Sequence, residues 1–329
     1  MIRYIARRLA ALVGVLLVIC GVTFAIFFVF PANPAQQVCG KNCTPQRITV
    51  IKHQFGLDES LPEQFEKYVV GIVAGRTYGS GDNVSQCPAP CLGYSYQSNA
   101  PVTTLIGQRL PVSASIAVGA GVLWLASGVL IGVISALRKD TWIDKAIMMG
   151  ALGGMAVPSF LVGILLLLLL CTDLGVLPYP SYTGILSDPG SFFQGMILPW
   201  VTLAAGYSAV YARFTRASMI ETMSEDFITT ARAKGLRERT VVVRHGLRAG
   251  LTPIMTIFGM DLGALLGGSI IVEQVFGMPG LGSLLMQSVG VVDIPVVMGV
   301  TLLAAFFVVF ANLVVDLLYG VVDPKVRLR

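Results

Sequence analysis

"VSASIAVGAGVLWLASGVLIGVISAL", residues 112–137, runs for 26 positions without an ionisable side chain. About 20 helical residues suffice to cross the bilayer core, so this run is long enough to span it. Five further runs share its character: Leu9 to Phe30, Met149 to Cys171, Met196 to Tyr211, Ala249 to Val272 and Val296 to Val322. The run from Met196 is the shortest and is followed by Arg213. Hydrophobic residues make up 55% of the chain and charged ones 12%, with a mean hydropathy of +0.77. The pattern predicts an all-α membrane protein, a six-span helical bundle.

Arg3, Arg7 and Arg8 precede the first run, as they would in a signal peptide. A signal's apolar core is about 7 to 15 residues, however, and this run is 22 long. The basic residues also set the orientation. With the N-terminus inside, inner segments hold 17 of the 23 Lys and Arg residues, eight of them between Arg213 and Arg248. The short outer segments Asp173 to Gly195 and Glu273 to Pro295 hold none. Both termini are therefore expected in the cytosol, and the net charge of +5 reads as a topology signal, with no nucleic-acid partner implied.

Residues 31–108 form an extracytoplasmic region after the first span. "VIKHQFGLDESLPEQFEKYVVGIVAG" has helical periodicity, while "RTYGSGDNVSQCPAPCLGYSYQSNAP" reads as irregular loop. The region reads as a small cap packed on the membrane part, not as a second domain. Cys39, Cys43, Cys87 and Cys91 fall in it and are disulfide candidates, with three pairings open. A zinc site is the alternative, disfavoured because His53 is isolated. Cys20 and Cys171 lie in apolar runs.

Small residues at four-residue spacing, Gly259, Gly263 and Gly267 in the fifth run and Ser113, Ala117 and Gly121 in the second, mark faces where helix backbones can approach closely. Asp261 falls near the middle of the fifth run, where an acid costs about 2.5–3.5 kcal/mol on insertion scales. It should therefore face protein or water. Asp316 shares a helical face with Asn312 and Tyr319. These acids, with Glu273 at the outer end, are candidates for a translocation pathway or gate; plain helix–helix hydrogen bonding is the competing reading.

The charges collect in one place, "SEDFITTARAKGLRERTVVVRHGLRAGLTP", residues 224–253. Ser224 suits an N-cap, Glu225 and Asp226 a first turn, Arg232 and Lys234 a last turn, and Gly235 a left-handed stop. Phe227, Ala231 and Lys234 share one face, with Ile228 beside them. A second helix is expected from Glu238 to Arg248. Such an element suits docking in a partner's groove; a solvated basic loop is the bland alternative.

"TTARAKGL" (229–236) and "RHGLRAGLTP" (244–253) resemble the EAA loop of ABC importer permeases, in the form of the dipeptide and oligopeptide branch. The resemblance extends through "RYIARRL", "FGLDESLPEQF", "VPSFLVGILL", "GSIIVEQVFGMPGLG" and "NLVVDLLYGVVDPKVR", in order along most of the chain. It implies a single permease domain, residues 1–329, of the ABC importer type, with the outer region as an extracytoplasmic insertion and 213–248 as a cytosolic coupling loop. It also implies a coupling helix seated in an ATP-hydrolysing partner, contacts coming from Glu225, Asp226, Phe227, Thr229, Thr230, Ala231, Arg232, Ala233, Lys234, Gly235 and Leu236. The implied partners are a second homologous permease, two ATP-binding subunits that hold ATP and Mg, an extracytoplasmic solute-binding protein, the bilayer and a peptide substrate. Thr229 stands where the family name has Glu, and Thr230 where it has Ala, as is usual in the peptide branch. The Cys87 to Cys91 stretch looks like an insertion.

The chain carries no phosphate loop of its own: its Gly40–Lys41 pair is followed by Asn42. Only His53 and His245 occur, with no metal-protease motif or nucleophile elbow. Neither an enzyme nor a resident cofactor is expected, and the plasma membrane is the expected location. Two other readings stand beside this one. A gradient-driven transporter would use Asp261 as an ion site and show inverted repeats, and a membrane scaffold would transport nothing. Nickel and other small solutes are alternative substrates within the same branch.

Overall fold

The computed structural model describes residues 2–26, 44–46, 48–49, 52, 58–78, 85–95 and 97–322, with residues 2–6 and 316–322 described as backbone only. Cys39, Cys43 and the side chain of Asp316 thus lie outside the described residues.

The first helix, α1 (Ile2–Phe24), leads to the outer region. There α2 (Leu61–Ala74) starts after Ser60 with Pro62 in its first turn, where a missing N–H costs nothing. The stretch expected as irregular loop contains two short antiparallel ladders. β1 (Arg76–Tyr78) pairs with β2 (Ser85–Cys87), Thr77 opposite Gln86, and β3 (Tyr94–Ser95) pairs with β4 (Ala100–Pro101). Cys87 and Cys91 are disulfide-bonded. The cap packs on the spans: Phe65 and Tyr68 of α2 lie 5.4 and 6.4 Å from the Phe24 ring of α1.

Next comes α3 (Val102–Leu137), which begins inside the expected outer region, before residue 108. The third apolar run divides into α4 (Trp142–Ala156) and α5 (Ser159–Asp173), which meet at 93°. Pro158 explains the break: it has no N–H and pushes Val157 into an extended conformation, φ −86° and ψ 122°. The weakest run proves to be the middle of a long helix, α6 (Pro189–Met223), capped by the Asp188 side chain and continuing through Arg213 and Arg216. The expected cytosolic loop therefore starts within helix. It continues as α7 (Asp226–Ala233) and α8 (Glu238–Gly250), the latter close to the expected second helix.

The fifth run is also interrupted. α8 meets α9 (Thr252–Leu266) at 48°, just ahead of Pro253, and α9 gives way at Gly267–Ser269 to α10 (Ile270–Val275). α11 (Leu281–Gly290) and α12 (Ile294–Val322) complete the chain. Among the described residues four helices, α1, α3, α6 and α12, are long and apolar enough to cross a bilayer, and there are up to six spans when each bent pair counts as one.

Close backbone approach organises the bundle. A Cβ on Gly259 or Gly263 of α9, or on Gly267 just after it, would sit 2.2, 2.5 and 2.6 Å from Val315, Ala311 and Ala304 of α12, so glycine keeps this seam close. α3 lies along α6 for most of its length, and together with α9 and α10 they enclose a core around Trp124, Met196, Ile254 and Phe276.

Candidate functional site

The charged element of residues 224–253 hangs from the end of α6. Ser224, expected as an N-cap, instead closes α6, its hydroxyl donating to the Glu221 carbonyl at 2.6 Å. Glu225 takes the N-cap position in extended conformation, and α7 is correspondingly shorter than the sequence suggested. Gly235 ends it at φ +72°. Its N–H donates to Arg232 O and the Leu236 N–H to Ala231 O, the paired bonds of a Schellman stop.

The apolar residues of this element divide by role. Ile228 and Ala231 are buried against Val241 of α8, so they fasten α7 to its neighbour. Phe227 and Leu236 remain exposed, 45% and 42%. Arg232 pairs with Glu238 at 2.7 Å on the surface, and this hydrogen bond raises the guanidinium's already high pKa. Thr230 donates back to Asp226 O, while Glu225, Thr229, Ala233 and Lys234 are exposed.

A buried ion pair ties α6 to the base of α4. Arg216 grips Asp144 with two parallel bonds, Nε to Oδ1 at 2.7 Å and Nη2 to Oδ2 at 2.6 Å. The Ser135 hydroxyl of α3 and the Asp140 amide donate to the same carboxylate, which is 3% exposed. The sequence reading missed this cluster. Its signal was Thr141 followed three residues later by Asp144, a capping-box spacing, and the Thr141 hydroxyl does accept from the Asp144 amide.

An open cavity of about 700 Å³ lies where both bent elements meet α6. Pro158 and Ser159 from the α4–α5 break, Tyr207 and Val210 of α6, and Leu265 and Ser269 from the end of α9 line it. Asp261 stands on the face of α9 turned away from the glycine seam, partly buried, accepting from the Tyr211 hydroxyl at 2.7 Å. Tyr211 is 1% exposed and belongs to an aromatic group with Trp124, Tyr207 and Phe258. These rings sit in apolar runs and carry no signal at the sequence level beyond core packing.

Glu273 has different surroundings. It is fully buried, and both oxygens act as acceptors, Oε1 for the Ser113 hydroxyl (2.8 Å) and Ser269 amide (3.2 Å), Oε2 for the Ser283 amide (2.8 Å). Ser113 in turn accepts from the Leu281 amide, so one carboxyl joins α3, α10 and α11. Asn312 is partly buried on α12. Between the cap and the start of α12 the Ser95 hydroxyl donates to Asp293, whose carboxyl burial pushes up from its usual range while that hydrogen bond pulls it down. Among the described residues no three His, Cys, Asp or Glu side chains gather as a metal set.

A helical bundle with up to six candidate spans, two of them broken, defines a multi-span membrane protein. Residues 128–328 match the model of the binding-protein-dependent transport system inner membrane component, and residues 1–117 that family's N-terminal membrane component. The chain belongs to this family, the permeases of ABC importers. The glutathione transport system permease proteins GsiC of Escherichia coli O6:H1 and of Salmonella paratyphi A are 36% and 35% identical over 329 residues, all of both chains. A protein named provisionally as a peptide transport system permease in Brucella abortus strain 2308 is 34% identical over 323 residues, 98% of each chain.

Proposed function

We propose that the chain forms half of the translocation pathway of an ATP-driven peptide importer, its other half coming from a second homologous permease. Dipeptides, tripeptides such as glutathione and longer peptides are the substrate class, delivered by an extracytoplasmic solute-binding protein. Hydrolysis belongs to two partner subunits that bind ATP and Mg, and both termini of this chain face them in the cytosol. The observation that carries this reading is α7. It is a short helix fixed by buried Ile228 and Ala231, with Phe227 and Leu236 left exposed at the end of a helix that runs the depth of the membrane. The relatives named for glutathione and peptide transport support the substrate class.

Purification of the tagged chain from its native membrane in mild detergent, with mass-spectrometric identification of what accompanies it, tests the assembly. Recovery of ATP-binding subunits and a second permease, lost on replacement of Phe227 and Leu236 by Asp, is the expected result. A chain recovered alone, under conditions that keep other ABC assemblies intact, overturns it.

A further inference from the structure

The Asp261–Tyr211 pair lies one helical turn from residues that line the cavity. On α6, Tyr207 lines the cavity, and Tyr211 follows one turn nearer the end that carries α7. α9 runs in the opposite sense: Leu265 lines the cavity and Asp261 precedes it by one turn, nearer that same end. One turn is about 5.4 Å, so two helices place a hydroxyl and a carboxyl at one level, the cytosolic floor of the space.

The pair is built, but the acid is not saturated. The Tyr211 ring is held 6.1 Å from Trp124, and its hydroxyl donates to Oδ2. Among the described residues Tyr211 is the one hydrogen-bond donor to Asp261, and no Lys or Arg pairs with it. The aromatic wall above is fixed as well, Tyr207 being stacked on Trp124 at 4.6 Å and half-buried at the cavity. A carboxylate with an oxygen to spare beside aromatic rings is the arrangement that recognises an ammonium group, by charge-assisted hydrogen bonding and cation–π attraction. Leu203, Val210, Leu265 and Ile271 give the wall an apolar stretch suited to side chains.

We propose that Asp261, held by Tyr211, is an ammonium station at the floor of the cavity, taking the free amino group of a peptide in transit while the wall around Tyr207 takes its side chains. The assignment rests on the reading of this chain as a peptide-importer subunit.

The test uses the complete importer, purified through this chain and reconstituted in liposomes with ATP. Dialanine and glutathione are the probes, each with a free and an N-acetylated amino group. Asp261→Asn should lower uptake of the free-amine probes about tenfold, while the acetylated forms stay within about twofold, since only the former lose a charge-assisted bond. Asp261→Glu should recover most of the loss. Equal loss for both forms, or no loss for either, overturns the station.

A second measurement does not depend on the cargo. Alanine amide is titrated against the solubilised importer and followed by tryptophan emission, to which Trp124 contributes. A saturable change in the wild type that is absent from Asp261→Asn upholds the station, and no change in the wild type overturns it. This titration decides the matter if the wild type takes up no acetylated probe, or no peptide at all; the last result removes the peptide reading separately.

Discussion

Removing the Glu273 carboxyl tests whether the junction of α3, α10 and α11 is held by hydrogen bonds or by packing alone. In Glu273→Ala the buried amides of Ser269 and Ser283 lose their carboxyl acceptor, and the Ser113 hydroxyl loses one partner. A buried donor left unsatisfied costs about 1–3 kcal/mol, so the two amides together cost about 2–6 kcal/mol. Ser113 adds less, because its hydroxyl can rotate and still accepts from Leu281. Glu273→Gln is the sharper variant. It keeps the volume but turns an NH₂ toward one of these donors, exchanging one hydrogen bond for two facing donors, about 1–3 kcal/mol. The assay is the thermal midpoint of the purified protein in detergent, with membrane yield as a second readout, and the expected order is wild type, then Gln, then Ala. Gly280→Ala should act in the same direction, because its Cβ would fall 2.4 Å from the Glu273 Cδ. A Gln variant as stable as the wild type refutes the reasoning. If that variant also transports abnormally, Glu273 returns to the pathway role that its position in the sequence suggested.

Asp144→Ala should lower the thermal midpoint by the equivalent of about 3 kcal/mol, the low end for a broken buried pair because Arg216 keeps a solvent-facing side. Asp144→Ala with Arg216→Met should be less damaged than Asp144→Ala alone; a double variant that is worse removes the unpaired charge as the cause. Gly235→Val should cost about 1–2 kcal/mol through the left-handed backbone alone, since no atom lies within 4 Å of the added Cβ. ATP-binding subunits should then co-purify poorly with the Val variant and well with Gly235→Asn, and equal recovery counts against an ordered α7. Gly263→Leu should separate α9 from α12 and abolish membrane accumulation, because its Cβ alone meets Ala311 at 2.5 Å and the Phe307 carbonyl at 2.9 Å. The raised Asp293 carboxyl contributes stability that is present below the ordinary value of about 3.9 and is lost as pH rises through its folded value. The thermal midpoint should therefore fall over that interval in the wild type more than in Asp293→Asn, and parallel curves refute the assignment.

The apolar runs revealed the spans because hydropathy registers what must be buried in lipid. The glycine seam of α9 was legible for a similar reason: small residues at four-residue spacing have few uses other than close helix approach. Hydropathy cannot see breaks inside apolar sequence. Val157–Pro158 and Gly267–Ser269 each fall within a run that reads as continuous, and the cavity sits between these two breaks. The site residues show the same division. Asp261 stood out as an acid among apolar neighbours, whereas Tyr207, Tyr211 and Trp124 read as ordinary core, and Ser113 as one more small residue. Arg216 was counted only as an inner positive charge, since its partner Asp144 is 72 residues away in sequence.

The connections of α7 give the architecture a mechanical consequence. α7 joins α6 through Ser224 and Glu225, and it is packed on α8 through Ile228, Ala231 and Val241. α8 continues into α9 across a 48° bend. A displacement of α7 is thus delivered to α6 and to α9 at once, and these are the two helices that share the Tyr211–Asp261 bond at the cavity floor. The Arg216–Asp144 pair adds α4, whose far end is the Pro158 break lining the same cavity. Under the importer reading, closure of the ATP-binding partners around α7 would move three walls of the cavity through three short linkages, one covalent, one of apolar packing and one ionic, without requiring any of the long helices to bend.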